Sequence, residues 1–231
     1  GQSIPAMAAA TAERFADRLA IADRDTLLTH AELHDEARTF GAALVASGIE
    51  PGDRVALWAP NSAEWIIALL GLFQAGAVLV PVNTRFKGVE ATDILSRSRA
   101  RALVTVTDFL GTDYLSLLEA AGSELPDLHT VVVASVVAPH GAEPWGRFLG
   151  SATGAARADV DRRGAAVSEG SPSDILFTSG TTGRPKGVVM THGRTLRVAT
   201  DWVAMTGLGA DDRYLMVNPY FHMFGLKAGI L

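Results

Sequence analysis

The chain has 231 residues, of which 48% are hydrophobic and 19% are charged, and this composition is typical of a folded globular protein with a sizeable core. Its formal net charge of -5 at pH 7 gives no general attraction for nucleic acid or an acidic membrane, so an anionic ligand would have to be held by local donors. The absence of cysteine excludes disulfides, thiolate metal sites and a cysteine nucleophile, and it fits a reducing cytoplasm.

Residues 1–52 are predicted to form a lead-in of helix, hairpin and helix. Thr29 is followed three residues later by Glu32, the spacing of a capping box at a helix start, and Gly48 is suited to end that helix. The elements predicted here are a helix over Ile4–Phe15, strands Leu19–Ala22 and Thr26–Leu28 turned at Arg24 and Asp25, and a helix over Ala31–Ser47.

Residues 53–140 alternate short apolar strands with helices. Because the strands are continuously apolar, they predict a mainly parallel α/β sheet that helices cover on both faces. Asn61 and Glu64 are the candidate caps of the first helix in this part of the chain, which runs to about Ala75. The predicted strands are Val55–Trp58, Val78–Val82, Ala102–Thr105 and Thr130–Ala134. Three helices are predicted: one that ends at about Ala75, and two over Val89–Arg97 and Leu110–Ala121.

The stretch Trp65–Val82 is apolar enough to suggest a membrane span. Gln74 interrupts its middle, Gly76 punctuates it and Pro81 closes it. A buried helix followed by a buried strand therefore explains it better, and no integral membrane segment is predicted.

Residues 141–173 are rich in Gly, Ala, Ser and charge, and predict a long connection with one short helix near Trp145–Leu149. Residues 174–231 again contain strong patterns. The elements predicted there are strands Ile175–Phe177, Val188–Met190 and Tyr214–Val217, and a helix over Arg194–Met205.

The most informative segment is the loop Thr178–Gly187. Glycines let a backbone turn and bring its N–H groups close to an oxyanion, hydroxyls donate further hydrogen bonds, and a cation offsets charge. Together they suit a polyphosphate, whose hydrogen bonds contribute roughly 1.5–3 kcal/mol each. The loop supplies glycines at Gly180, Gly183 and Gly187, hydroxyls at Thr178, Ser179, Thr181 and Thr182, and cations at Arg184 and Lys186.

This loop does not fit other phosphate motifs or a hydrolase site. A Walker A loop needs Gly-Lys-Ser/Thr leading into a helix, whereas Lys186 follows Pro185 and leads into a strand-like run beginning at Val188. The chain contains no G-x-G-x-x-G dinucleotide motif, and Ser179 does not lie in the G-x-S-x-G context of a nucleophile elbow. A Gly- and Thr-rich hairpin tip that binds nothing is the competing interpretation.

The segment "FTSGTTGRPKGVVMTHG" resembles the signature loop of the adenylate-forming superfamily, which includes acyl-CoA synthetases, coumarate-CoA ligases, luciferases and peptide-synthetase adenylation domains. Three further segments are similar to the same superfamily, so the resemblance covers nearly the whole chain. These segments are Thr29–Val55, Val55–Phe86 and Asn218–Gly225, the last reading "NPYFHMFG".

The resemblance implies an α/β domain that joins a carboxylic acid to the α-phosphate of ATP, with Mg²⁺, and then transfers the acyl group to the thiol of CoA. It implies that His222 lines the junction of acid and adenylate, where it could gate entry of the thiol. A polar residue near a helix start is the plainer interpretation of His222. The residues that the resemblance assigns to the β- and γ-phosphates are Thr178, Ser179, Gly180, Thr181, Thr182, Gly183 and Lys186.

The later motifs of the superfamily do not appear in these 231 residues. Among them are a Tyr-Gly-x-Thr-Glu segment, the ribose-binding aspartate and the lysine of the small C-terminal domain. We therefore expect an incomplete N-terminal AMP-binding domain that does not catalyse adenylation alone. A fatty or sterol-side-chain acid is the favoured substrate and an aryl acid the second.

Other functions stay open at this point. A peptide-synthetase adenylation domain, a luciferase-like enzyme, a P-loop phosphotransferase and a non-catalytic nucleotide-binding module are the alternatives. A metal site at His30 and His34, four residues apart on a predicted helix, is less plausible than a surface helix face. The expected partners are small molecules, and the oligomeric state is undetermined.

Overall fold

The computed structural model describes residues 2–139, 141–178 and 185–231. The helices are α1 (Ile4–Arg14), α2 (His30–Ala46), α3 (Ala63–Gln74), α4 (Gly88–Ser98), α5 (Tyr114–Ala121), α6 (Trp145–Gly150), α7 (Gly154–Ala166), α8 (His192–Thr206) and a π-helix over Gly225–Ile230. The strands are β1 (Leu19–Asp23), β2 (Thr26–Thr29), β3 (Arg54–Trp58), β4 (Val78–Pro81), β5 (Ala100–Thr105), β6 (Thr130–Val133), β7 (Glu143–Pro144), β8 (Pro172–Thr178) and β9 (Lys186–Thr191).

The main sheet of the described residues has seven strands in the order β7-β6-β5-β3-β4-β8-β9. Strands β3 to β8 are parallel to their neighbours, while β9 returns antiparallel to β8 as a hairpin. The non-sequential order, with crossovers through helices, is the doubly wound arrangement in which ligands bind beyond the carboxyl ends of strands. The predicted α/β class with a mainly parallel sheet is confirmed.

Strand β3 explains why the apolar runs do not alternate. Val55 and Leu57 face the core formed with α1, α2, α3, α6 and α7, whereas Ala56 and Trp58 face the core formed with α4 and α5. Each of these four side chains is fully buried. A strand buried on both faces needs an apolar residue at every position.

Helices α2 and α3 cross at two glycines. A Cβ added to Gly71 would lie 2.4 Å from the carbonyl oxygen of Ala37, and one added to Gly41 would lie 2.6 Å from that of Gly71. Only glycine permits this approach of the two backbones. The crossing fixes α3, and the chain leaving it enters the central strand β4.

The predicted helix and strand over Trp65–Val82 are confirmed as the buried α3 and β4. Among the described residues, no helix has both the length and the apolarity that a membrane span needs. The predicted capping box of Thr29 and Glu32 is present at the start of α2.

Four local predictions are wrong. The connection over residues 141–173 contains a second helix, α7, which has little apolar pattern because only Ala156 and Val160 are buried in it. The strand predicted over Tyr214–Val217 is an irregular segment, and most of its side chains are exposed. Helix α5 begins at Tyr114 rather than Leu110, because Asp113 caps it.

The fourth error concerns the start of α3. Ser62, not Asn61, is the N-cap, and its hydroxyl accepts a hydrogen bond from the backbone N–H of Trp65. Asn61 instead bonds to the distant segment 218–220, with its Nδ2 donating to the carbonyl of Asn218 at 2.9 Å and its Oδ1 accepting from the N–H of Tyr220 at 2.8 Å. This side chain ties two parts of the chain together.

Candidate functional site

The hairpin β8–β9 closes the glycine- and hydroxyl-rich loop. Thr178 ends β8 and Lys186 begins β9, and the two residues are paired in the ladder. The hydroxyl of Thr178 donates to the carbonyl of Lys186 at 3.5 Å. Both residues are exposed, so the hydroxyl and the ammonium group are accessible to a ligand at the mouth of the loop.

The other assigned loop residues lie outside the described part of the chain. They are Ser179, Gly180, Thr181, Thr182 and Gly183, and the neighbouring Arg184 is also outside it. Their assignment to the phosphates therefore stays a prediction. What the structure adds is the position of the two ends of the loop.

His222 lies beside a cavity of about 580 Å³ at the end of β4. Its side chain is exposed, and its Nδ1 accepts a hydrogen bond from the backbone N–H of Phe224 at 3.3 Å. The neutral ring then carries its proton on Nε2. The cavity is lined by Asn83, Thr84, Arg85, Phe109, Leu110, Thr112, Tyr114, Asn218, Pro219, Phe221 and His222.

The two ends of the loop and the His222 cavity lie at the same edge of the sheet, where the parallel strands have their carboxyl ends. Strand β8 runs parallel to β4, with Asp174 opposite Leu79, so Thr178 and Asn83 both lie at carboxyl ends. Ligands of doubly wound folds bind at this edge. The structure therefore places the two predicted parts of the site on the same side of the sheet.

A stacked aromatic pair supports the cavity, which Tyr114 lines while Trp58 is buried behind it. Trp58 and Tyr114 have ring centroids 4.3 Å apart and lie within 15° of parallel. The indole N–H of Trp58 donates to the carbonyl of Asn83 at 3.0 Å, and the hydroxyl of Tyr114 donates to that of Thr84 at 2.9 Å. Burial raises the pKa of Tyr114, so its phenol stays neutral and continues to donate at ordinary pH. These contacts fix the backbone that follows β4.

A buried polar cluster below the hairpin was not predicted from the sequence. Lys227 and Asp174 are 1% and 0% exposed, and the ammonium Nζ lies 3.1 and 3.2 Å from the two carboxylate oxygens. The hydroxyls of Ser173 and Thr195 complete the cluster. The available signal was a lysine inside the apolar run "GLKAGIL" and an aspartate before "ILF".

His192, at the start of α8, is buried next to this cluster. Its ring meets Phe73 edge-on at a centroid distance of 5.0 Å, and its Nδ1 has no hydrogen-bond partner among the described residues. Burial lowers the pKa of His192 to about 4, although the charge of Asp174 acts in the opposite direction. The ring is therefore neutral near pH 7.

The geometry does not support a metal site at His30 and His34. Burial lowers the pKa of both His30 and His34. The described residues contain no group of three or more His, Asp or Glu side chains that could hold a metal ion.

Comparison with known proteins defines the class. The AMP-binding enzyme family matches residues 8–231, so the chain belongs to that family.

Two relatives carry closely matching sequences. The chain is 45% identical over 224 residues to the 3-(7a-methyl-1,5-dioxo-octahydro-1H-inden-4-yl)propanoyl:CoA ligase of Rhodococcus jostii, and the match covers 95% of this chain and 43% of that protein. It is 44% identical over 230 residues to the ligase of the same name from Mycobacterium tuberculosis, covering 100% of this chain and 44% of that protein. The chain therefore spans less than half the length of these relatives.

Solved structures agree on the fold. The anthranilate CoA ligase AuaEII in complex with anthranoyl-AMP matches with a TM-score of 0.87 at 26% identity, over 98% of this chain and 42% of that one. The apo structure of Mycobacterium smegmatis MbtA matches with a TM-score of 0.83 at 31% identity, over 99% of this chain and 41% of that one. The fold is that of the N-terminal domain of adenylate-forming enzymes.

Proposed function

We propose that this chain is the N-terminal part of an AMP-forming acid–CoA ligase. The observation that carries the proposal is the Thr178–Lys186 pair, which closes a loop of phosphate-binding composition at the same sheet edge as the His222 cavity. The family match over residues 8–231 and the two CoA ligases at 44–45% identity support the same reaction.

The reaction would proceed in two steps. A carboxylate is ionised at pH 7 and needs no general base, so its oxygen attacks the α-phosphorus of ATP and pyrophosphate leaves. The thiol of CoA then attacks the acyl carbon, and AMP leaves. The protein's task in the first step is to orient the phosphates and to stabilise charge on the departing pyrophosphate.

The proposed roles follow from position. Lys186 and Thr178 would hold the β- and γ-phosphates together with Ser179, Gly180, Thr181, Thr182 and Gly183. His222 would line the junction between acid, adenylate and thiol, with its Nε2–H free to donate. Mg²⁺ would be held together with the phosphates of ATP, where it would offset their negative charge.

We propose a carboxylic acid with a large apolar body as substrate, either a fatty acid or the side-chain acid of a fused-ring sterol. The names of the two CoA ligases at 44–45% identity, which act on a propanoyl side chain of a fused bicyclic ring, favour the fused-ring class. Aryl acids are the second substrate class to be tested, because AuaEII is an anthranilate CoA ligase.

The test uses the complete polypeptide, meaning the full open reading frame that contains this chain. ATP–pyrophosphate exchange and acyl-CoA formation would be measured with fused-ring propanoic acids, fatty acids of graded length and aryl acids. We expect acid-dependent exchange with the highest kcat/KM for a fused-ring or fatty acid, and no turnover by residues 1–231 alone. Nucleotide binding without exchange for any acid would indicate a non-catalytic module and contradict the proposal.

A further inference from the structure

The buried ion pair joins three segments that are far apart in sequence. Asp174 belongs to β8, Thr195 to α8 and Lys227 to the π-helix. The ammonium group of Lys227 donates to both carboxylate oxygens of Asp174 and to the hydroxyl of Thr195 at 2.6 Å. That hydroxyl donates in turn to Asp174 at 3.1 Å, as does Ser173 at 2.7 Å.

Asp174 also lies where the hairpin meets the parallel sheet. The ladder between β4 and β8 consists of one register pair, Leu79 and Asp174, and β8 is irregular between Pro172 and Asp174. A ladder of one pair contributes few backbone hydrogen bonds between the hairpin and the sheet. The side chain of Asp174 supplies the additional constraint, because it is held from two other elements.

Each of the three segments leads to a part of the proposed site. Asp174 is four residues before Thr178, where the phosphate loop begins, and α8 follows β9, which begins at Lys186. Lys227 is five residues after His222. Phe224, between them, packs edge-on against Trp202 of α8 with centroids 4.8 Å apart.

The pair is poorly explained as a source of stability. Desolvation of two buried charges commonly cancels their attraction, and apolar replacements of such pairs are often neutral. Burial lowers the pKa of Lys227 against the opposing effect of Asp174, which shows the same competition. What a hydrogen-bonded pair provides, and apolar packing does not, is a fixed direction between its partners.

We propose that Lys227 and Asp174 are positioning residues. They hold the two ends of the phosphate loop, Thr178 and Lys186, and the His222 segment, residues 218–225, in one mutual arrangement. This inference rests on the proposed ligase function. The pair is not proposed to contact substrate. It acts through the two ends of the loop and through the π-helix.

The test compares variants of the complete polypeptide. Lys227→Met leaves the carboxylate of Asp174 buried without its cation, so its melting temperature should fall sharply. The double variant Asp174→Asn with Lys227→Met removes both charges with little change of shape, and it should regain most of that melting temperature. Its kcat/KM for ATP should nevertheless remain at least about tenfold below wild type through a higher KM, because small misplacements of binding groups are costly.

A second variant keeps the test decisive if the double variant does not fold. Thr195→Val is nearly isosteric and removes one hydroxyl from the cluster, and it should raise the KM for ATP severalfold. Arg38→Met is the matched control, because it deletes the cation of the Arg38–Asp161 pair between α2 and α7, which is partly exposed. It should leave the KM for ATP unchanged.

The outcomes separate the inference from the function. If the wild-type polypeptide shows no pyrophosphate exchange with any acid, the proposed function fails. If the wild type is active, and the folded double variant or Thr195→Val has a wild-type KM for ATP with only a reduced kcat, the pair is merely structural and the positioning role is overturned.

Discussion

The parallel strands and the β8–β9 hairpin differ in how they are covered. Strand β4 is fully buried, and β3 is buried except at Arg54. Strand β9, an edge strand among the described residues, is exposed at Val188 and Val189, which are 45% and 53% accessible. The parallel part is thus a packed scaffold, whereas β9, which follows the candidate phosphate loop, is lightly packed.

Many proteins show the same contrast between a packed scaffold and less packed binding elements. Binding elements are drawn from regions with few buried contacts, while a rigid scaffold positions them. Here the hairpin is joined to the scaffold where Asp174 of β8 pairs with Leu79 of β4. Substitutions should therefore affect stability on the scaffold side and ligand binding on the hairpin side.

The largest expected effect is on the scaffold. Leu69, in α3, is fully buried, and Leu69→Ala should lower the free energy of unfolding by about 2–5 kcal/mol through lost burial and a cavity. Val189→Ala on β9 should change it by no more than about 0.5 kcal/mol in residues 1–231. Denaturant unfolding of the two variants measures both losses. Equal losses of unfolding free energy would contradict the difference between scaffold and hairpin.

His192 lies between the hairpin and the scaffold, at the start of α8, and it should make the stability of the protein depend on pH. Because its pKa in the folded protein is lowered to about 4, the unfolded chain binds the proton more readily between pH 6.5 and 4. His192 therefore leaves the free energy of unfolding unchanged above pH 6.5. It lowers that free energy, by up to about 3 kcal/mol, as the pH falls from 6.5 toward 4. Unfolding of wild type and His192→Gln across this range measures it. A parallel decline in both proteins would contradict the assignment.

The next largest loss of stability is expected where α2 and α3 cross at their glycines. Gly71→Ala would bring a methyl group against the backbone of Ala37 and should cost about 1–3 kcal/mol of unfolding free energy. Gly146 is the control, since a Cβ there meets nothing within 4 Å. Gly146→Ala should be neutral or slightly stabilising, and thermal unfolding of both variants distinguishes them.

Apart from the control substitutions, the smallest expected loss of stability is at Asn61, which links the scaffold to the His222 segment. Asn61→Ala removes two hydrogen bonds to residues 218 and 220 and should cost about 1–2 kcal/mol. Because the segment is loosened locally, hydrogen exchange at Tyr220 should accelerate more than exchange in β3. Unchanged exchange at Tyr220 would show that the link is not needed.

Local patterns were sufficient to predict the scaffold. The continuous apolar strands around Val55–Trp58 and Val78–Val82 gave the sheet class, and the Thr29–Glu32 spacing gave the start of α2. Helix α7 was missed because most of its residues are not buried. The strand predicted over Tyr214–Val217 was wrong, because most of its apolar residues are exposed and the segment pairs with no described strand.

The candidate site was predictable only where one continuous motif carries it. Thr178 and Lys186 were predicted as loop residues that contact the phosphates. The structure places them at the end of β8 and the start of β9, and the assignment of all seven residues to the phosphates stays a prediction. The Lys227–Asp174 pair joins residues 53 positions apart, and Asn61 bonds across 157 and 159 positions. No local pattern encodes such contacts, since they depend on how the elements pack.

Binding of ATP by the β8–β9 loop is the central claim, and substitution of its cation tests it most directly. In the complete polypeptide, Lys186→Ala combined with Thr182→Val should weaken ATP affinity at least about tenfold by titration calorimetry, because charge-assisted hydrogen bonds to the phosphates are lost. Arg184→Ala, which removes a cation from the same loop that is not assigned to the phosphates, should leave the affinity nearly unchanged. Wild-type affinity in the double variant would contradict the account.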